Sequence, residues 1–202
     1  MGPPGTFERV YVAIKEMLRR GAARPGERLE PAALSEQLYS SVTPIRDALH
    51  RLAGERLVDA PRQEGFRVPL VTETGLRHLY AWHHDLLLLA ILRRNSSPRP
   101  VASGDATGEF AGAELSRRWM FQELARATGN PEHELALKSV CDRLEPFEQL
   151  ESALLDAIEE ESMRISQSIE SGDRRQLRRD LVHYHRRRER IIPELVTLVQ
   201  RT

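Results

Sequence analysis

Residues 41–52 read SVTPIRDALHRL and contain the most informative pattern in the first part of the chain. Thr43 can cap a helix here, and Pro44 suits its first position because proline lacks the N–H group that a first turn leaves unpaired. Arg46 and His50 lie off the apolar stripe of this helix. The stripe consists of residues at helical spacing: Ile45, Leu49 and Leu52. The stretch therefore predicts an amphipathic helix with one buried and one polar face.

The residues around this helix complete a small domain. Two shorter helical patterns precede it, and a proline-glycine turn at residues 25–26 separates them. After it, residues 57–60 and 66–68 are predicted to be two short strands. They flank a tight loop in which Gly65 supplies permissive backbone geometry. Three helices followed by a hairpin predict a winged helix-turn-helix domain over residues 7–69.

From residue 72 onward the sequence shows only helical patterns. A stretch rich in Ser, Pro, Gly and Asp at residues 95–109 predicts a flexible connection. Helices are predicted on either side of it, at about 72–94, 113–128, 131–145, 147–170 and from Asp173 to the C-terminus. We therefore predict a mainly α chain, in which an all-helical bundle over residues 72–202 follows the winged helix.

Composition limits the class of protein further. The chain has 202 residues, of which 40% are hydrophobic and 30% charged, so a globular protein is expected. The formal net charge is zero, but residues 145–161 are acidic and residues 174–190 basic, so the total does not exclude a nucleic-acid partner. A single cysteine, Cys141, cannot form an internal disulfide. With no apolar run long enough for a membrane span and no leader pattern, a cytoplasmic location and no membrane partner are expected.

Three motifs of the first domain resemble one family. They are PGERL at 25–29, LSEQL at 34–38 and SVTPIRDAL at 41–49, and they resemble the GntR family of bacterial transcription regulators. The resemblance implies that Arg46 contacts DNA together with Ser41, Thr43 and Gly65. Further candidates on the same surface are His50, Arg62, Gln63 and Arg67. Capping by the two hydroxyl residues and a merely solvated polar loop remain open as alternatives.

The helical part resembles the effector domain of the FadR subfamily of the same family. The likeness rests on LARATGNP at 124–131 and on Gly172-Asp173 before the last helix. It implies a small carboxylate or acyl-type ligand, a homodimer, and a ligand-dependent spacing of two DNA-reading heads. The stretch before Ala113 is shorter than usual in the family, so one family helix is expected to be missing.

Two departures from the family pattern bear on function. Val42 stands where relatives carry an arginine that reads guanine, and a valine can at most contact a thymine methyl group. Four positions where many relatives hold a divalent metal carry residues without the expected ligand chemistry: Arg117, Phe121, Ser162 and Tyr184. We therefore expect no bound metal and no cofactor.

The same positions suggest a ligand pocket without metal. Arg117 pointing into the former metal cavity could hold an anionic effector, although a surface charge is the simpler interpretation. Arg188 could act likewise or pair with the acidic residues 159–161. The remaining pocket candidates are more simply explained by packing or by a core histidine: His83, Phe121, Ser162 and Tyr184.

The sequence contains none of the local catalytic signatures of nucleophile, phosphate-loop or zinc-protease enzymes, so an enzyme is not expected. The predicted function is that of a homodimeric, sequence-specific DNA-binding repressor. It would bind an inverted-repeat operator and respond to a small anionic effector. The alternative is a degenerate family member that works as a ligand-sensing or protein-interaction module with weak DNA specificity.

Overall fold

The computed structural model describes residues 5–62, 64–93 and 113–201. The first domain contains three helices, α1 (Thr6–Arg19), α2 (Pro31–Gln37) and α3 (Val42–Gly54). Their apolar faces share one core, which includes Val10 and Ile14 of α1 and the fully buried Leu49 of α3. Phe66, in the hairpin region after α3, is also buried in this core. The helical stripe of α3 is buried as predicted, because it packs between α1 and α2.

Helix α3 begins one residue before the predicted cap. Val42 is its first residue, and Ser41, with φ −74° and ψ 161°, takes the N-cap position. Thr43 therefore lies inside the first turn, and the prediction that it caps the helix is wrong. Pro44 is tolerated as the third helical residue because the N–H groups of the whole first turn have no partner within the helix.

The wing, which is the hairpin predicted at residues 57–68, is formed by isolated backbone bridges rather than by two strands. Arg67 is bridged to Asp59 on one side and to Arg28 on the other. Backbone N–H groups of Asp59 and Arg67 each donate to the other's carbonyl, at 2.8 and 2.9 Å. The segment at residues 26–29 is therefore a third member of the wing, which the two-strand prediction missed. Such short pairings lack the alternating run of residues that identifies a strand in sequence.

The second part consists of five helices within the described residues. They are α4 (Glu73–Arg93), α5 (Ala113–Arg126), α6 (Pro131–Glu148), α7 (Ile158–Glu170) and α8 (Arg174–Arg201). Helices α4 and α8 pack along each other and carry much of the bundle core, with α5, α6 and α7 around them. None of the helices in the described ranges is long and apolar enough to cross a membrane. The connection expected at residues 95–109 lies outside the described residues.

The boundary between α6 and α7 differs from the prediction. Helix α6 continues through Pro146 to Glu148, and α7 begins only at Ile158, so the helix predicted over 147–170 starts too early. Between them lies a short 3₁₀ turn at Glu151–Ala153. Leu150 and Leu154 pack against the bundle core from this turn. Their spacing fits a helix as well as a turn, so periodicity alone could not separate the two.

Ion pairs connect the first domain to the bundle. Lys15 of α1 lies 2.8 Å from Asp142 of α6 and 2.6 Å from Glu55. Arg19 of α1 lies 2.6 Å from Glu145 of α6. Burial acts to lower the pKa of Lys15, but its hydrogen bonds to both carboxylates raise it on balance. This cluster fixes α1 against α6 and places the two domains in direct contact.

Candidate functional site

The exposed surface of α3 carries the first group of predicted site residues. Ser41, Val42, Thr43 and Arg46 are all exposed at the beginning of the helix, opposite its buried stripe. The Ser41 side chain makes no capping hydrogen bond. Within the described part of the chain, Arg46 has no hydrogen-bond or ion-pair partner. The N–H groups of the first turn and this guanidinium are therefore available to an anionic partner such as a phosphate or a base edge.

The wing lies beside this surface. His50 of α3 packs edge-on against Phe66, with ring centroids 4.9 Å apart, so His50 braces the wing as well as facing solvent. Gly65 adopts φ +81°, a left-handed conformation that favours glycine. Arg67 donates to Glu64 at 2.5 Å, whereas Arg62 is exposed. The predicted wing residue Gln63 lies outside the described residues.

Tyr39 was not singled out by the sequence analysis. It lies in the turn between α2 and α3, is 92% exposed and adopts φ +48°. A bulky residue in the left-handed region is uncommon, and an aromatic ring this exposed covers none of the core. The only signal in the sequence is an aromatic residue in the polar turn before α3. Tyr39 therefore exposes its ring to solvent two residues before Ser41, the N-cap of α3.

The second group of predicted residues lies inside the bundle. Arg117 of α5 and Arg188 of α8 are both 0% exposed, so the surface interpretation of Arg117 is wrong. Both guanidinium groups bind one carboxylate, that of Glu151 in the 3₁₀ turn. Its Oε2 lies 3.0 Å from Arg117 Nη1 and 2.8 Å from Arg188 Nη2. Arg188 also donates to Glu161 at 2.7 Å, so the pairing with the acidic helix is present as well.

Aromatic rings and a histidine pair line the same region. Phe121 packs edge-on against Tyr184 and against His83, with centroid distances of 5.5 and 5.1 Å. His83 Nδ1 lies 3.1 Å from Nε2 of His185, at hydrogen-bond distance. Burial lowers the pKa of His83 to about 3, so this imidazole is neutral. Ser162 is buried on α7, where its hydroxyl donates to the Ile158 carbonyl at 2.9 Å.

The donor set does not fit a metal ion. Arg117 and Phe121 are buried where the resemblance assigns metal ligands, and neither side chain coordinates a cation. In the described ranges, no three His, Cys, Asp or Glu side chains converge in a way that could hold one.

Several polar atoms of this cluster have no partner. They are Nε and Nη2 of Arg117 and the hydroxyl of Tyr184, all three buried. The nearby carboxyl of Glu148, at the end of α6, is also buried. Burial raises its pKa to about 7, against the opposing effect of the Arg117 charge. The cluster therefore contains hydrogen-bonding atoms that its own side chains leave without a partner.

The raised pKa of Glu148 makes stability depend on pH. In the unfolded chain this carboxyl ionises near its ordinary value of 4.5, whereas in the folded state it stays protonated to about pH 7. Folding therefore takes up a proton between these values, and the contribution of Glu148 to stability falls as pH rises from about 4.5 to about 7. Glu148→Gln, which stays neutral, is expected to be more stable than wild type at pH 8 by about 2 kcal/mol and closer to it at pH 5.

Urea unfolding of both proteins at pH 5 and pH 8 measures this difference. Glu132→Gln, at an exposed carboxyl of the same helix, is the matched control. A Glu148→Gln protein that is no more stable than wild type at pH 8 would contradict the assignment.

The first domain is similar to a known protein family. Residues 6–68 match the family described as bacterial regulatory proteins, gntR family. The match covers the first domain, which is therefore similar to the DNA-binding domain of that family. Two curated relatives in Escherichia coli are similar over part of the chain. The HTH-type transcriptional regulator McbR is 32% identical over 109 residues, which is 49% of each chain. The HTH-type transcriptional repressor GlaR is 34% identical over 70 residues, 35% of this chain and 32% of GlaR. The chain thus matches about half or less of the length of these relatives.

Solved structures extend the likeness to the helical part. The structure titled E. coli McbR/YncC has a TM-score of 0.65 at 18% identity, with 95% of this chain and 99% of that chain covered. A GntR-type regulator from a Rhodococcus species has a TM-score of 0.72 at 16% identity, with the same coverage. These matches confirm the mainly α fold with a GntR-type winged helix followed by an all-helical domain. The matched family consists of regulatory proteins, which agrees with the expectation that the chain is not an enzyme.

Proposed function

We propose that this chain is a sequence-specific DNA-binding transcription regulator, in the cytoplasm, that acts as a homodimer on an inverted-repeat operator. The observation that carries the proposal is the exposed beginning of α3 in a GntR-type domain, where Arg46 has no partner within the described residues. A helix of this kind enters the major groove with its first residues at the base edges. Two winged-helix domains, held together by the helical domains of a dimer, would bind two half-sites related by the symmetry of that dimer.

The regulator acts as a repressor that responds to a small anionic effector in the helical domain. Support comes from the two nitrogens of Arg117 without a partner, Nε and Nη2, and from the free hydroxyl of Tyr184, since planar guanidinium groups bind carboxylates with two parallel hydrogen bonds. Such an effector has to compete with Glu151 for the buried arginines or to use the donors that Glu151 leaves free. It changes operator affinity only if it prefers one arrangement of the two DNA-binding heads.

Selection of bound fragments from the source genome tests the DNA-binding function. Purified protein is incubated with sheared genomic DNA at physiological salt, and the retained fragments are sequenced. We expect one enriched inverted repeat. Binding that is abolished by salt and shows no sequence preference would contradict the proposal, because phosphate contacts alone give affinity without specificity.

A second candidate is an interaction or ligand-sensing module with weak DNA specificity. Val42 favours it, because this exposed position at the beginning of α3 lacks the guanine-reading arginine of the family. The two candidates differ in their dependence on Arg46, which the module does not need.

A further inference from the structure

A cavity of about 590 Å³ lies between the winged helix and the bundle. Its walls come from α1 and the turn after it, from the segment that leads into α4, and from the end of α6. Much of the lining is apolar: Leu18, Leu57, Leu76, Leu79, Phe147 and Leu150. The volume is in the range of sites for small organic molecules. This cavity is separate from the buried cluster around Glu151.

Two arginines from different domains line it. Arg56 follows the end of α3 by two residues and adopts φ +60°, and Arg143 lies on α6. Both side chains line the same cavity, and both burial and the positive charge of Arg56 lower the pKa of Arg143. Within the described residues neither has a hydrogen-bond or ion-pair partner. The other interdomain cations, Lys15 and Arg19, all have carboxylate partners.

The charged residues that line the cavity are Arg20, Arg24, Arg56, Arg143 and Glu27. Arg20 is paired with Glu16 at 2.8 Å, whereas the side chains of Arg56 and Arg143 have no carboxylate partner among the described residues. Two cations without a carboxylate partner at one cavity, beside an apolar wall, repel each other, and an anion bound between them would remove this repulsion. The apolar wall then takes the hydrocarbon part of the same molecule.

We propose that this interdomain cavity binds a small organic anion, with its carboxylate or phosphate between Arg56 and Arg143 and its apolar body against Leu76 and Phe147. The ligand joins the two domains, because one arginine belongs to the winged helix and the other to the bundle. Since Arg56 follows α3 directly, the bound anion ties the DNA-reading helix to the helical domain. The site is additional to the effector site proposed above and does not rest on it.

Titration with a fluorescent anion tests the site in the full-length chain without DNA. The probe is anilinonaphthalene sulfonate, and its uncharged analogue N-phenylnaphthylamine has the same rings without the sulfonate. We expect one equivalent of the anionic probe to bind, and Arg143→Gln and Arg56→Gln each to weaken its binding about tenfold. Binding of the uncharged analogue should change little in either variant.

Arg164→Gln, at an exposed arginine of α7, is the matched control and should bind the anionic probe like wild type. Thermal unfolding confirms that the variants are folded. Arg143→Gln is expected to be no less stable than wild type, because the substitution removes a repulsion. Equal affinity of wild type and both variants for the anionic probe would overturn the proposal, and so would the absence of any saturable binding. Neither result bears on operator binding, which is measured separately.

Discussion

Glu151→Gln is expected to destabilise the helical domain by about 3–5 kcal/mol. Glu151 is 0% exposed and is the carboxylate shared by Arg117 and Arg188. It also accepts a hydrogen bond from the Tyr80 hydroxyl at 3.1 Å. Glutamine keeps the shape but removes the negative charge. Among the described residues, Arg188 then keeps its ion pair with Glu161, while Arg117 loses its ion-pair partner.

Urea unfolding followed by circular dichroism measures this loss. Glu160→Gln, at an exposed carboxyl of α7, is the control and is expected to change stability by about 0.5 kcal/mol or less. A second variant, Glu151→Gln with Arg117→Met, should recover part of the stability, because it removes the cation that lost its ion-pair partner. If Glu151→Gln lowers the free energy of unfolding no more than the control does, the folded state does not need this carboxylate to balance the buried arginines.

Arg46→Ala is expected to weaken binding to the operator about 10-fold to 100-fold while leaving binding to unrelated DNA nearly unchanged. A well-placed arginine contact to a base contributes about 1–3 kcal/mol of discrimination, and it is lost at every half-site that the protein occupies. Phosphate contacts by the helix beginning and the wing persist, and they carry the affinity that does not depend on sequence.

Fluorescence anisotropy with the selected operator and with a scrambled duplex, both at one fixed salt concentration, measures the two affinities. Arg20→Ala, at an exposed arginine at the end of α1, is the control for loss of one positive charge. A parallel loss of affinity for both duplexes would mean that Arg46 acts only on phosphates. No loss for either duplex would favour the interaction module.

The first domain could be predicted well from the sequence because its signals are local. The stripe of Ile45, Leu49 and Leu52 and the glycine at position 65 each specify structure within a few residues of themselves. The errors concern boundaries. Val42 rather than Pro44 opens α3, and the segment at residues 26–29 joins the wing through pairings with residues 66–68 that are distant in sequence.

The buried cluster could be predicted only in part. Spacing placed Tyr184 and Arg188 on one face of the last helix, and the family resemblance brought Arg117 and Phe121 into the same group. Glu151 was missed because nothing in a helical pattern distinguishes a carboxylate that turns inward from one that faces water. Its position depends on the 3₁₀ turn between α6 and α7, where the sequence predicted a continuous helix. Glu148 was missed for the same reason, since its burial results from long-range packing.

Methylation protection of the selected operator shows whether α3 reads the bases, because dimethyl sulfate modifies guanine N7, an atom that faces the major groove. If α3 of two protomers reads the groove, guanines in two symmetry-related half-sites are protected by wild-type protein, and the protection weakens in Arg46→Ala. Half-sites that lie about one helical turn or a multiple apart would fit two heads on one face of the duplex. Protection spread evenly along the fragment, or its persistence at full strength in Arg46→Ala, would contradict sequence reading by α3.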